Sequence, residues 1–267
     1  MTRKIALLYI LLLLANTVFS QQSTASKNVS TFSIESPQLH CTKKIWLYLP
    51  KEYATSKKKY PVIYMHDAQN LFDSKTAYAG EWNIDEKLDS LNAQVIVVGI
   101  EHGNEKRTEE LTPYKNEKYG GGNGDNYLDF IVKTLKPKID STYRTKTNTV
   151  NTVIIGSSLG GLISYYALLK YPTIFGKAGV FSPAFWINPE VFELTKNTKT
   201  LKSKMYFLCG DNESPEMVPD VKKMEILVSD IRCSCMHLTR KKIIKGGQHN
   251  EKLWRDNFVK VYSWLTI

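Results

Sequence analysis

After residue 20 the sequence has no apolar run long enough to span a membrane, and it has no internal repeat and no low-complexity block. Basic residues outnumber acidic ones and give a formal net charge of +10, but they are scattered along the chain. A nucleic-acid-binding protein needs its basic residues gathered in a stripe or module, and none is present. We therefore expect no nucleic-acid partner.

The first twenty residues have the layout of a secretory signal peptide. A basic start, "MTRK", precedes an apolar run of about 15 residues, and cleavage is predicted between Ser20 and Gln21. That run is shorter than the ~20 residues of a spanning helix, which favours cleavage over the alternative of an uncleaved membrane anchor. The sequence thus predicts a secreted or periplasmic protein without a stable membrane anchor.

Cysteine is scarce. An even count in an exported chain permits disulfides, but four cysteines allow three pairings and the sequence does not choose among them. A buried free thiol is an equal alternative for the cysteine in the apolar run "MYFLCG". Because no histidine has a metal-ligand spacing to any cysteine, we expect no metal site. The four are Cys41, Cys209, Cys233 and Cys235.

Apolar strand-like runs alternate with amphipathic helical segments over most of the chain. Residues 21–37 are rich in serine, threonine, glutamine and asparagine and are predicted to form a flexible leader. Residues 38–267 then read as one domain. Continuous apolar strands separated by helices predict an α/β fold, with a mostly parallel central sheet and helices on both faces.

The stretch "VIIGSSLGGL" (153–162) carries the strongest chemical signal. It fits Gly-x-Ser-x-Gly only when Ser158 is the central residue, and Ser157 then occupies the variable position. In that motif a sharp turn from strand to helix exposes the hydroxyl of a nucleophilic serine. An apolar strand precedes this motif and an amphipathic helix follows it, so the context supports the assignment.

A nucleophilic serine needs a base and a carboxylate that orients the base. In hydrolases with this turn the acid and then the histidine follow the serine, which leaves His237 and His249 among five histidines. His249 is favoured because it lies in a glycine-rich loop before the terminal helix. The candidate acids follow the strand 203–209 and are Asp211, Glu213 and Glu216.

An oxyanion hole needs two backbone N–H donors. The first is expected from Leu159, directly after the nucleophile, and the second from Ala68 or Gln69 in the loop "YMHDAQNLFD". His66 and Asp67 precede the serine in the chain, so they are interpreted as shaping that loop.

These segments together resemble the putative-esterase family of α/β-hydrolases, which includes S-formylglutathione hydrolases, feruloyl and acetyl-xylan esterases, enterochelin-type esterases and mycolyltransferases. The resemblance covers most of residues 40–258 and rests on "YPVIYMHDAQNLFD", "GEWNIDEKLD", "LKPKIDSTYRT", the segment around "GSSLGG", "CGDNE" and "GGQHNEKLW". It implies the α/β-hydrolase fold, Ser158 as nucleophile and His249 as base. It also implies Glu213 as the acid, where many relatives have aspartate.

The hypothesis from the sequence is an exported serine hydrolase of carboxylic esters that works through an acyl-enzyme and needs no cofactor. Its partner would be a small-molecule or glycan ester, either carbohydrate-linked or of siderophore type. An acyltransferase of the same fold and a catalytically inactive binding module are the alternatives. Three aromatic residues in segments expected to border the site are candidates for substrate contact: Trp82, Tyr114 and Trp186.

Overall fold

A sheet of eight strands forms the centre of the molecule. The computed structural model describes residues 22–231 and 238–266. The strands in chain order are β1 (Val29–Ser36), β2 (Cys41–Tyr48), β3 (Val62–His66), β4 (Ile96–Ile100), β5 (Lys115–Asn116), β6 (Gly120–Gly121), β7 (Thr152–Ser157), β8 (Lys177–Phe181), β9 (Lys204–Gly210) and β10 (Thr239–Ile244).

The strand order in the large sheet is β1-β2-β4-β3-β7-β8-β9-β10, and β5 pairs only with β6. β2 is antiparallel to both of its neighbours, and all other neighbours in the large sheet pair in parallel. The chain proceeds outwards from β3 to β4 and then, in the opposite direction, from β7 to β10. The order therefore reverses between β3 and β7, and ligands of open α/β sheets bind at such a point, beyond the carboxyl ends of the strands.

Helices connect the parallel strands. They are α1 (Ile84–Ser90), α2 (Arg107–Leu111), α3 (Gly124–Phe130), α4 (Lys136–Thr142), α5 (Leu159–Lys170), α6 (Glu190–Lys196), α7 (Met217–Asp230) and α8 (Glu251–Thr266). A π-helical segment, Ile131–Leu135, joins α3 to α4. Because Pro137 has no N–H to donate to the preceding turn, the wider π-helical turn before it is a local adjustment of one continuous helical segment.

Two hydrophobic clusters pack against the sheet. Neighbouring residues of one strand belong to different clusters, as Tyr64 and Met65 of β3 do, so the clusters lie on opposite faces. The larger cluster includes residues of α3 to α7, and the smaller one includes residues of α1 and α8. The predicted α/β fold with a mostly parallel sheet and helices on both faces is thus confirmed.

The predicted flexible leader over residues 21–37 is wrong for residues 29–36. These residues form β1, which pairs along its length with β2 from Val29 opposite Tyr48 to Ser36 opposite Cys41. Phe32 and Ile34 pack against the larger cluster, between serine and threonine side chains. The polar composition concealed an alternating pattern typical of an edge strand.

Some predictions fall outside the described residues, namely those on the signal peptide and those on Cys233, Cys235 and His237. Cys41 and Cys209 have free thiols, so they do not pair with each other. Burial raises the pKa of the Cys209 thiol to about 12. Among the described helices, none is both long enough and apolar enough to cross a membrane.

Candidate active site

Ser158 lies at a sharp turn between β7 and α5. Its backbone has φ 57° and ψ −121°, a conformation that is strained for any residue except glycine. The Ser158 N–H donates to the Phe181 carbonyl oxygen at 3.0 Å, and the Ala184 N–H donates to the Ser158 carbonyl oxygen at 3.1 Å. The turn after β8 therefore fixes the backbone of Ser158.

The glycines around Ser158 are required by close backbone contacts. A Cβ atom on Gly156 would lie 2.5 Å from the Gly160 carbonyl oxygen, and one on Gly161 would lie 2.6 Å from the Phe181 carbonyl oxygen. Neither contact leaves space for a side chain. The Gly-x-Ser-x-Gly spacing thus reflects packing of the turn as well as the conformation of Ser158.

His249 and Glu213 are joined by a short hydrogen bond. Glu213 follows β9 and His249 precedes α8, and 2.6 Å separates the His249 Nδ1 atom from the Glu213 Oε2 atom. The Glu213 side chain is 1% exposed, whereas that of His249 is 36% exposed. A carboxylate oxygen can only accept, so Nδ1 is the donor, and in the neutral imidazole Nε2 then has the lone pair.

Two residues that the sequence analysis missed, Ser182 and Trp254, help to hold Glu213 in place. The Ser182 hydroxyl donates to Glu213 Oε1 at 2.8 Å, and the Gly210 N–H donates to the same oxygen. The Trp254 Nε1–H in turn donates to the Ser182 hydroxyl oxygen at 2.8 Å, and its ring lies edge-on to His249 with centroids 5.1 Å apart. The sequence signal that could have identified Ser182 is its position directly after the buried strand β8, at the same end of the sheet as Ser158.

The structure separates Glu213 from the other candidate acids. Asp211 is exposed, and its carboxylate accepts a hydrogen bond from the Gly246 N–H at 2.6 Å. Glu216 lines the cavity beside His249, at the start of α7, but has no hydrogen bond to the imidazole among the described contacts. Glu213 is therefore the candidate that the fold brings to His249.

The loop after β3 lies beside the Ser158 turn. Asp67 has φ 56° and precedes a short 3₁₀ turn, Ala68–Asn70. This turn contains Ala68 and Gln69, the two alternatives predicted for the second oxyanion donor. Gln69 and Ser158 line one cavity. Leu159 is the first residue of α5, where a backbone N–H has no acceptor within the helix.

Charged and polar partners fix the shape of that loop. Arg107 donates to both carboxylate oxygens of Asp67, at 2.7 and 2.8 Å. Burial opposes ionisation of Asp67, but the arginine charge and hydrogen bonds outweigh it and lower the pKa of the carboxyl. His66 Nδ1 is 2.7 Å from the Tyr127 hydroxyl oxygen, and burial lowers the pKa of His66 to about 4. These contacts hold both side chains in place within the loop.

Two cavities meet at Ser158 and His249. The first has a volume of about 570 Å³, and its lining comprises Ser158, Trp186, Glu213, Ser214, Glu216, Met217 and His249. The second has a volume of about 400 Å³ and lies towards the loop after β3, where Asp67, Gln69 and Arg107 contribute to its wall. A substrate bound across Ser158 would have one group in each cavity.

The three predicted aromatic residues have different environments. Trp186 is 44% exposed and lines the first cavity, with the exposed Tyr119 packed edge-on at 5.3 Å. Tyr114 is half-buried, packs against Tyr166 and lines neither cavity. The prediction for Trp82 is wrong, because it is 3% exposed and packs in the core. Its ring is therefore not accessible to a substrate.

Within the described parts of the chain, one group of side chains has oxygen atoms close enough together to hold a metal ion: Glu81, Asp85 and Glu86. None of them lines either cavity around Ser158. Ser158, His249 and Glu213 comprise a hydroxyl, an imidazole and a carboxylate, which are the kinds of group that acyl transfer through a serine requires.

Comparison with known proteins identifies relatives of this chain. The sequence profile of the family described as "Putative esterase" matches residues 36–227. The uncharacterized protein YbbA of Bacillus subtilis is 28% identical over 238 residues, which cover 84% of this chain and 92% of YbbA. An endo-1,4-beta-xylanase/feruloyl esterase of Xylanibacter ruminicola is 25% identical over 179 residues, or 64% of this chain and 23% of that enzyme.

Among solved structures, the enterobactin esterase FES from Shigella flexneri superimposes with a TM-score of 0.71. The match covers 91% of this chain and 60% of the other, at 16% sequence identity. A likeness at this level of identity shows a shared fold.

Proposed function

The chain belongs to the putative esterase family of serine hydrolases, and on that premise we propose that it cleaves carboxylic esters with Ser158 as nucleophile, His249 as general base and Glu213 as the carboxylate that orients His249. The observation that carries the proposal is the 2.6 Å contact between His249 Nδ1 and Glu213 Oε2, in a cavity that Ser158 also lines. The three residues come from three different loops, and all three line one cavity, which supports the proposal.

The reaction follows from the protonation state of His249. With its proton on Nδ1, the imidazole accepts the Ser158 hydroxyl proton at Nε2 as the serine oxygen attacks the ester carbonyl carbon. The proton then passes to the departing alkoxide, which leaves as an alcohol and gives an acyl-enzyme. His249 next takes a proton from water, whose oxygen attacks the acyl carbon and releases the carboxylic acid and Ser158.

Glu213 stabilises the imidazolium that forms in each half of the reaction. Its Oε1 atom already accepts two hydrogen bonds, and these fix the carboxylate with Oε2 towards the imidazole. The developing oxyanion would be held by the N–H of Leu159 and that of Ala68 or Gln69. The Leu159 N–H also has the favourable electrostatics of a helix N-terminus.

The proposed substrates are carbohydrate-linked or siderophore-type esters. A feruloyl esterase and an enterobactin esterase are among the similar proteins, and this supports both classes. Trp186 and Tyr119 form an exposed aromatic pair at the larger cavity, and aromatic faces suit sugar rings and aromatic acyl groups alike.

The test is a pair of serine substitutions assayed on a small chromogenic ester. Ser158→Ala should lower turnover by about 10⁴-fold or more, because no other hydroxyl is held in the strained turn. Ser157→Ala should retain substantial activity, since Ser157 is the last residue of β7 and 7% exposed. Labelling of the parent chain by a fluorophosphonate should disappear only in Ser158→Ala. Equal losses in both variants, with unchanged melting temperatures, would contradict the assignment.

We also propose that the protein is exported. The support is the basic start and the apolar run before Ser20. The intact mass of the protein collected outside the cytoplasm should correspond to a chain that begins at Gln21, and a mass that includes Met1 would contradict export with cleavage.

A further inference from the structure

A group of carboxylates lies at the start of α1, outside the two cavities. Glu81, Asp85 and Glu86 each place one carboxylate oxygen so that the three oxygens lie within 4.8 Å of one another. Glu81 is 6% exposed and Asp85 is fully buried. Nothing in the proposed hydrolysis uses these residues.

Each of these carboxylates has one oxygen bonded to the chain. Glu81 Oε2 accepts from the Thr24 hydroxyl at 2.8 Å, and Asp85 Oδ2 accepts from the Ser26 N–H at 2.6 Å. Glu86 Oε1 accepts from the Asn83 side-chain amide at 3.3 Å. The segment that precedes β1 thus covers the carboxylates.

The second oxygen of each carboxylate is buried without a hydrogen-bond partner. These atoms are Oε1 of Glu81, Oδ1 of Asp85 and Oε2 of Glu86, as far as residues 22–231 and 238–266 define their surroundings. A buried polar atom without a partner is unfavourable by about 1–3 kcal/mol, and more if it is charged. Three such atoms on neighbouring carboxylates favour a ligand beyond the described chain, either a shared proton or a bound cation.

The described part of the chain gives the three carboxylates no direct ion pair with a basic side chain. None of them forms an ion pair there within 4.0 Å of a lysine or arginine nitrogen. Arg255 comes nearby, but its Nη1 atom donates to the backbone carbonyl oxygen of Glu81 at 3.0 Å. A neutral water would satisfy a lone pair but leave the negative charge, whereas a proton or a cation offsets both.

We propose that Glu81, Asp85 and Glu86 bind one Ca²⁺ ion. Ca²⁺ takes oxygen ligands at about 2.3–2.6 Å, so two ligands of one ion are separated by at most roughly 5 Å, as these oxygens are. Mg²⁺ usually keeps several waters and is bound through one or two carboxylates, so a set of three protein carboxylates suits it less well. The absence of thiolate and imidazole ligands from the group disfavours softer metals.

Protons are the competing ligand. Burial, together with a side-chain hydrogen bond with Glu86 and its charge, raises the pKa of Asp85 to about 7 against the opposing effect of the Ser26 N–H. Burial also raises the pKa of Glu81. Binding of the ion at pH 7.5 thus displaces any remaining protons, and acid should release the ion.

The site would connect three parts of the chain. Ser26 and Thr24 tie the segment before β1 to it, and Arg255 ties it to α8 through the Glu81 carbonyl oxygen. Tyr78 and Ala79, just before Glu81, line the second cavity. The proposed ion is therefore structural, and its loss should loosen the segment before β1 first.

The test is calorimetric titration of the purified, EDTA-treated and desalted chain with CaCl₂ at pH 7.5, with MgCl₂ as a second titrant. One saturable Ca²⁺ site is expected, at least tenfold tighter for Ca²⁺ than for Mg²⁺, together with a rise of several degrees in the melting temperature. Asp85→Asn and Glu86→Gln should each weaken Ca²⁺ binding at least tenfold. The matched control Glu105→Gln, an exposed glutamate elsewhere, should bind as the parent does.

The proposal has clear opposing outcomes. No saturable heat with equal melting temperatures in EDTA and Ca²⁺ would overturn it and leave shared protons as the ligand. Ca²⁺ binding that is unchanged in a folded Asp85→Asn or Glu86→Gln variant would also overturn it, because the ion would then bind elsewhere. Glu86→Gln serves if Asp85→Asn does not fold, since Glu86 is only partly buried.

Discussion

Glu213 and Asp211 lie two residues apart on one loop but have different partners. The Oε1 atom of Glu213 faces two donors, the Ser182 hydroxyl and the Gly210 N–H, and its Oε2 atom faces His249. Asp211 instead accepts from the Gly246 N–H at the surface. The two carboxylates can therefore be distinguished by neutral, isosteric substitutions.

We expect Glu213→Gln to lower turnover by about 10²–10⁴-fold with little loss of stability. The two donors at Oε1 would hold the amide oxygen there, so the amide nitrogen would face His249 Nδ1. That nitrogen donates, and the histidine would have to carry its proton on Nε2, the wrong tautomer for a base. Rates and melting curves on a chromogenic ester provide the measurement.

Asp211→Asn is the matched control for that substitution. Its effect on turnover should be much smaller and should arise mainly through stability, because the side chain bridges two surface loops. If Asp211→Asn proved the slower enzyme at an unchanged melting temperature, Asp211 would be the orienting acid instead.

At the scale of elements, the loops after β9 and β10 interlock. The Asn212 N–H donates to the Gly247 carbonyl oxygen at 3.0 Å, and the Asp211 N–H donates to the Ile244 carbonyl oxygen at 3.1 Å. A Cβ atom on Gly210 would lie 2.1 Å from the Gly247 carbonyl oxygen. Since one loop carries Glu213 and the other His249, this contact sets their separation.

Gly210→Ala should therefore force the two loops apart and lower turnover at least tenfold, together with the melting temperature. The matched control is Gly246→Ala in the same pair of loops. Gly246 has φ +68° and open space around its Cβ position, so alanine there should cost about 1–2 kcal/mol in strain with little change in turnover. Equal turnover in the two variants would show that the contact does not position the imidazole.

At the scale of the whole molecule, two buried groups change its stability with pH in opposite directions. His66 has a folded-state pKa of about 4, below its unfolded value, so its contribution is lost as pH falls from about 6.5 towards 4. Asp85 has a folded-state pKa of about 7, above its unfolded value, so without metal its contribution is gained as pH falls from 7. The two effects oppose each other between pH 7 and pH 5.

Substitution of either group should reveal the pH dependence of stability that the other group causes. In EDTA, Asp85→Asn should lose about 2 kcal/mol of unfolding free energy between pH 7 and pH 5, because the contribution of His66 then has no opposing change. His66→Gln should gain stability over the same interval. Urea unfolding at the two pH values is the measurement, with the parent chain as reference. Parallel profiles in all three proteins would contradict these assignments.

The sequence by itself determined the features that depend on local pattern. Alternating apolar strands and amphipathic helices predicted the α/β sheet, and the Gly-x-Ser-x-Gly spacing predicted the turn at Ser158. Both depend on neighbours a few residues away: period in a strand or helix, and close backbone contacts in a turn. The resemblance to a known family then predicted Glu213 as the acid for His249, and the two side chains lie 2.6 Å apart.

Tertiary structure decided the features that depend on distant residues. Ser182 and Trp254 support Glu213 only because the ends of β8 and β9 and the start of α8 meet at one sheet edge. Trp82 is buried because α8 and β8 cover it with Trp254 and Phe181. The polar segment before β1 is ordered because it covers carboxylates some 60 residues away in the chain. Hydrophobic periodicity does not predict such contacts, because they form only once the strands are assembled into the sheet.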